Sequence, residues 1–214
     1  MAPVRGIGRS GTVALACLGT FVVLTLAIIG GPLPHLDEHV RHWAVTHQDP
    51  GVRRLAVNVF WFGDIKVAGT TLAVVAVAIA VRARRWRVAV LALGIALLVA
   101  VAVAALKDVI GRSIAPFAAH AVLGVGGHGY PSGHVATATV CSGLIAVMVG
   151  AAAPRMRTWV TVAAALVVLL VCWSVVYGPA HWLTDAIGGA LIAAAAVATF
   201  VALDGARLSK RRRS

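Results

Sequence analysis

The chain has 214 residues, of which 60% are hydrophobic and only 12% charged. That is too apolar for a soluble domain of ordinary composition, and at this length it implies one compact membrane domain, 1–214. The net charge of +12 does not indicate a nucleic-acid partner, because the basic residues sit in short clusters between apolar runs. Cys17, Cys141 and Cys172 all fall inside apolar runs and read as small apolar fillers rather than a disulfide framework.

The first apolar run, 12–30, follows Arg5 and Arg9 and exits at Gly30–Gly31–Pro32. It is long for a signal-peptide core and lacks an A-x-A-like site, so it reads as an uncleaved first span. Residues 33–64 form the longest polar segment. Leu36, Val40, Trp43 and His47 share one helical face, with Asp37, Glu38, Arg41 and His42 on the other. Pro34 suits the start of that helix and Pro50–Gly51 its end, which predicts a short amphipathic helix on the membrane surface. His35, His39, His42 and His47 read as a solvated face, since no carboxylate or Cys partner completes a metal-ligand set at convincing spacing.

Phe60–Trp61–Phe62 resembles an interfacial aromatic belt ahead of a second span, 65–81. Further spans are predicted over 88–106, 135–153, 159–177 and 186–203, and the chain ends in a basic tail. Each span has 17 to 19 residues, enough to cross a hydrocarbon core of about 30 Å. The fold expected is all-α, an integral membrane six-helix bundle with one added amphipathic helix in the first outer loop.

With the N-terminus inside and six spans alternating, 13 of the 19 Lys and Arg fall on the inner side. Six of the seven acidic residues fall outside, leaving Asp204 inside. This asymmetry predicts cytoplasmic termini. It also brings three polar clusters, far apart in sequence, to one depth on the outer side: Lys107 at the end of span three, His134 at the start of span four, and His181 with Asp185 at the start of span six. Polar and titratable groups at membrane depth are costly and mark a functional site by default.

Tyr130–Pro131–Ser132–Gly133–His134 is a short polar turn directly before an apolar run. Gly133 lets a ligand approach the backbone, Ser132 offers a hydroxyl, and a helix start favours an anion. His181 and Asp185 are four apart and would share a helix face, so the carboxylate can orient the ring. The pair could also be half a metal site, but Lys107 and Arg112 are cationic neighbours that favour an anion such as phosphate.

These residues resemble the motifs of the type 2 phosphatidic acid phosphatase family of membrane lipid phosphatases, whose site architecture is shared with vanadium haloperoxidases. The family pattern is K-x6-R-P, then P-S-G-H, then S-R-x5-H-x3-D. The second part is complete at Pro131–Ser132–Gly133–His134, and the third matches at Ser174, His181 and Asp185. The first matches at Lys107, and the likeness covers about 65–203. Three positions depart from the pattern. Ile114 stands at the first-motif arginine, with Ala115 next and Pro116 one place late, and Val175 stands at the third-motif arginine.

The resemblance implies a metal-independent, cofactor-free phosphoryl hydrolase acting at the outer face of a plasma or inner membrane. By it, His181 is the nucleophile, Asp185 its orienting carboxylate, and His134 the acid and then the base. Lys107, Arg112, Ser132 and Gly133 would hold phosphoryl oxygens. The substrate would be a lipid phosphate or an isoprenoid diphosphate. The departures at Ile114 and Val175 motivate a rival reading, a catalytically weak lipid-phosphate binding protein. A transporter or phosphotransferase using the same site is a third, but a transporter should carry polar groups through the midplane, and spans two to four carry almost none.

Overall fold

A computed structural model describes residues 4–31, 33–114, 128–178 and 181–211. Among them are eight α-helices and no β-strand. They are α1 (Val4–Gly30), α2 (Leu33–Thr46), α3 (Pro50–Phe60), α4 (Thr70–Ala83), α5 (Trp86–Ile110), α6 (Gly133–Ala152), α7 (Arg157–Tyr177) and α8 (Leu183–Arg211). A 3-10 turn, Trp61–Gly63, and a π-helical turn, Ile65–Gly69, lead into α4. Six stretches are long and apolar enough to cross a membrane: Gly8–Gly30, Ile65–Ala83, Trp86–Ile110, Gly133–Ala152, Pro154–Tyr177 and Leu183–Asp204.

The span ends follow local chemistry. α5 does not stop at Lys107, because its own last turn carries that residue. It stops at Gly111, which adopts φ 65° and returns its N–H to the Lys107 carbonyl at 3.0 Å. Only glycine takes that left-handed conformation without a Cβ penalty. At α6 the start is set by Ser132, whose hydroxyl accepts the Val135 N–H.

α6 is the central helix: half of its apolar window is buried, against 17% for the α4 and α7 spans. It packs against α4, α5, α7 and α8, while α1 lies along α8. The main core is lined by small residues, including Ala76, Ala80, Ala92, Ala136 and Ala193, with Leu72, Leu144 and Phe200 filling the larger gaps. Small side chains let backbones approach closely where lipid offers no hydrophobic drive for helix pairing. Gly143 is one such place, since a Cβ there would stand 2.9 Å from Val197 Cγ2. The outward faces carry Leu15, Val23, Val90, Leu97, Leu98 and Trp159, all exposed, as a lipid-facing belt requires.

The polar segment 33–64 holds two helices rather than one. Pro50 occupies the first turn of α3, with Asp49 as N-cap accepting the Val52 N–H at 2.8 Å. Proline lacks an N–H that the first helical turn could not use anyway, so it opens a new helix here as readily as it closes the previous one. The turn between α2 and α3 is clamped to the end of α7. Tyr177 Oη donates to the His47 carbonyl and accepts from the Asp49 N–H, both at 3.0 Å.

α2 is amphipathic, but its polar side is not all solvated. Leu36 and Trp43 are exposed, while Asp37 and Ala44 are each only 1% exposed. Asp37, placed by periodicity on the solvated face, points into the protein.

Candidate active site

The polar turn of residues 130–134 is bolted to the start of α8. The Ser132 N–H donates to the Asp185 carbonyl at 2.9 Å. Tyr130 is fully buried, stacks on Phe21 with ring centroids 5.8 Å apart, and shares a 2.8 Å hydrogen bond with Thr25 on α1. Burial pushes the Tyr130 phenol above its ordinary range, so it stays a neutral hydroxyl. Gly188 and Gly189 make the approach possible. A Cβ on Gly188 would lie 2.6 Å from the Tyr130 ring, and one on Gly189 would collide with the Ser132 carbonyl.

His181 is 4% exposed and Asp185 is fully buried. His181 Nδ1 sits 3.3 Å from Asp185 Oδ2, which also accepts the Trp182 N–H at 3.2 Å. The His181 backbone N–H is held by the Val175 carbonyl at 3.0 Å. Gly129 closes the other side, where a Cβ would stand 2.8 Å from Asp185 Oδ2.

Arg112 lies just past the end of α5. Its Nη1 donates to Asp185 Oδ1 and to Thr184 Oγ1, each at 2.7 Å, and its Nη2 donates to Asp37 Oδ2 at 2.6 Å. Asp37 in turn accepts the Thr184 N–H at 3.0 Å and its hydroxyl at 2.5 Å. Two guanidinium groups lie over the Trp182 ring, with Arg41 Cζ at 5.4 Å and Arg112 Cζ at 5.5 Å from its centroid. The indole N–H reaches the Ser113 carbonyl at 3.2 Å. The guanidinium assigned from sequence to phosphate thus has both terminal nitrogens on carboxylates.

His134 is half-buried at the first turn of α6. Phe60 covers it, with ring centroids 3.7 Å apart, and Gly63 abuts it so closely that a Cβ would meet the His134 carbonyl at 2.7 Å. His181, Lys107 and Asp64 all lie within electrostatic reach of His134. Lys107 lies within reach of Asp185 and donates to the His128 carbonyl at 3.1 Å.

Lys107 and His134 stand at the mouth of a cleft of about 330 Å³. Its walls descend along Val103, Ala100, Val99 and Ala96 of α5, and along Thr137, Val140 and Cys141 of α6. From Lys107 to Ala96 is about 16 Å at 1.5 Å per residue. The top of the cleft is charged and the rest apolar.

The structure therefore gathers Lys107, Arg112, Ser132, Gly133, His134, His181 and Asp185 at one end of the bundle. Ile114 and Val175 are buried there at 7% and 0% exposure, Val175 within an apolar cluster that contains Phe60, Val135 and Val171. Asp37, Thr184, Asp64 and Phe60 also belong to the site and were not picked out from sequence. For Asp37 the one available signal was its i,i+4 spacing from Arg41, and for Phe60 its place in the aromatic triplet.

Comparison with known proteins agrees with this arrangement. The structure is similar to the crystal structure of a transmembrane PAP2-type phosphatidylglycerolphosphate phosphatase from Bacillus subtilis, with a TM-score of 0.83 and 21% identity, covering 89% of this chain and 95% of that one. No curated protein sequence matches the chain. Residues 87–208 match the PAP2 superfamily model, a stretch that holds Lys107, Arg112, His134, His181 and Asp185 but not Asp37, Arg41 or Asp64. The chain belongs to the PAP2 superfamily.

Proposed function

We propose that the protein hydrolyses the phosphate or diphosphate of a membrane lipid, with His181 as nucleophile. One observation carries the reading: buried His181 sits against the Asp185 carboxylate, and Asp185 is tied through its own carbonyl to the Ser132 turn. A carboxylate on Nδ1 favours the tautomer with its proton there, leaving the Nε2 lone pair for phosphorus.

In the first step a bond forms between Nε2 and phosphorus while the bond from phosphorus to the lipid oxygen breaks. His134 gives that oxygen its proton. In the second step His134, now neutral, takes a proton from water, whose oxygen displaces Nε2 and releases inorganic phosphate. Lys107, the Ser132 hydroxyl and the Gly133 N–H serve the phosphoryl oxygens. Arg112, with both terminal nitrogens engaged, orients Asp185. The metal-free route is supported by Lys107, whose ammonium group supplies positive charge for the phosphate, and by a nucleophile that is itself a side chain.

The apolar cleft below Lys107 and His134 suits an acyl or isoprenyl chain, so the substrate comes sideways from the outer leaflet with its phosphate at the top. Phosphate release by the detergent-purified protein is the test, measured on phosphatidic acid, phosphatidylglycerol phosphate and isoprenyl mono- and diphosphates. At least one should be hydrolysed, and His181→Ala should abolish release.

The buried aliphatic residues at Ile114 and Val175 favour a second reading, a lipid-phosphate binding protein with little turnover. Each missing charge-assisted contact is worth about 1.5–3 kcal/mol. Saturable binding of a lipid phosphate without release of phosphate would establish that reading.

A further inference from the structure

We propose that Asp37, on the surface helix α2, is a positioning residue for the His181–Asp185 pair: it takes up half of the Arg112 guanidinium, so that Asp185 retains the negative charge that His181 uses. The inference rests on the preceding reading, in which His181 is the nucleophile.

Asp37 is 1% exposed on a helix that shows Leu36, Trp43 and its histidines to the outside. A buried carboxylate is retained only when its charge is matched and its lone pairs are filled. Hydrogen bonds that fill them come from two residues of the site, Thr184 and Arg112. Thr184 directly precedes Asp185, and its hydroxyl accepts from Arg112 while donating to Asp37. The first outer segment therefore reaches across to the opening of α8 and holds the residue next to the orienting carboxylate.

The charge count gives this contact its function. Arg112 and Asp185 alone would be a neutral ion pair, and a protonated or phosphorylated His181 ring would face a carboxylate already matched. With Asp37 the trio has two negative charges and one positive, leaving one net negative charge beside His181. An imidazolium or phosphohistidine completes it. The other groups around the pair are Lys107 on α5, His134 on α6, Arg41 on α2, and His128 and Tyr130 in the segment leading into α6. Asp37→Asn changes the charge of none of them.

Asparagine keeps the size of Asp37 and an oxygen for the Thr184 N–H, so α2 stays docked. If Asp37 acts through charge, Asp37→Asn lowers kcat by roughly 10- to 100-fold, the size of one charge-assisted contact, with KM within about threefold. The acid limb of the kcat/KM profile moves to lower pH, because removing a negative charge disfavours the protonated ring. The double variant Asp37→Asn/Arg112→Gln removes one charge of each sign and restores a net negative charge at Asp185. Its acid limb should return to the wild-type position, and it serves as the readout if Asp37→Asn alone is too unstable to assay.

An Asp37→Asn enzyme with wild-type kcat and profile overturns the proposal. So does a loss of activity with an unmoved limb and a lower melting temperature, which marks Asp37 as an anchor for α2 only. A double variant whose limb stays shifted also overturns it, and places Arg112 on the phosphate. A wild-type protein that binds lipid phosphates and releases none defeats the phosphatase reading instead, before any variant is compared.

Discussion

The backbone N–H of Ser132 donates to the carbonyl of Asp185 at 2.9 Å. This one bond joins two motifs that lie more than fifty residues apart and places the start of α6 against the start of α8. The hydroxyl and helix N-terminus of one motif, and the His–Asp pair of the other, therefore address the same small volume. Both glycines that allow the approach, Gly188 and Gly189, lie on α8.

Gly188 gives a stability prediction. A Cβ there would stand 2.6 Å from Tyr130 Cε2 and 2.9 Å from its hydroxyl oxygen, and Tyr130 is pinned by Phe21 and Thr25. Gly188→Ala should destabilise by about 1–3 kcal/mol, as overpacking does, and should reduce activity by displacing the turn. Gly94 on α5 has open space around it, so Gly94→Ala should leave melting and activity unchanged. Thermal unfolding in detergent checks both, and equal melting of the two variants would contradict the packing described.

Orientation gives the second prediction. With both termini in the cytoplasm, Asp108 at the outer end of α5 is reachable from outside, and Ala83 at the α4–α5 turn is not. Asp108 is 86% exposed, which suits labelling. A membrane-impermeant thiol reagent on intact cells should modify Asp108→Cys and spare Ala83→Cys in a background lacking the native cysteines. The reverse pattern would invert the topology.

Chemistry without a metal gives the third. Lys107 supplies positive charge at the site, and the nucleophile is a side chain. Phosphate release should survive EDTA and be inhibited by vanadate, which can form a five-coordinate adduct at His181. Activity lost to EDTA and restored by a divalent ion would exclude the mechanism proposed above.

The six spans were legible because lipid demands about twenty apolar residues in a row, a signal carried locally by the sequence. Their ends were less so. α5 runs on past Lys107 to Gly111, since a lysine in the last helical turn can reach the interface while a left-handed glycine ends the helix. Ser132, His134, His181 and Asp185 were legible because their spacing within short motifs survives in the fold. Asp37 was not. Helical periodicity put it with Glu38 and His42 on a solvated face, and its burial depends on Arg112 and Thr184, 75 and 147 residues away. Arg112 was legible as a site cation but not as the bridge between two carboxylates, for the same reason. Phe60 belonged by composition to an interfacial belt, where Trp61 and Phe62 remain exposed, yet it packs on His134.

The central claim is a covalent phosphate on His181, and the direct measurement is to trap it. Protein incubated with a hydrolysable lipid phosphate, quenched under alkaline conditions that preserve phosphohistidine, and digested should be read by mass spectrometry across residues 178–185. The wild-type protein should carry phosphate on His181, His134→Ala should slow both the formation and the loss of that phosphate, and His181→Ala should carry none and release none. Phosphate release by His181→Ala, or a trapped phosphate on any other residue, would contradict the account.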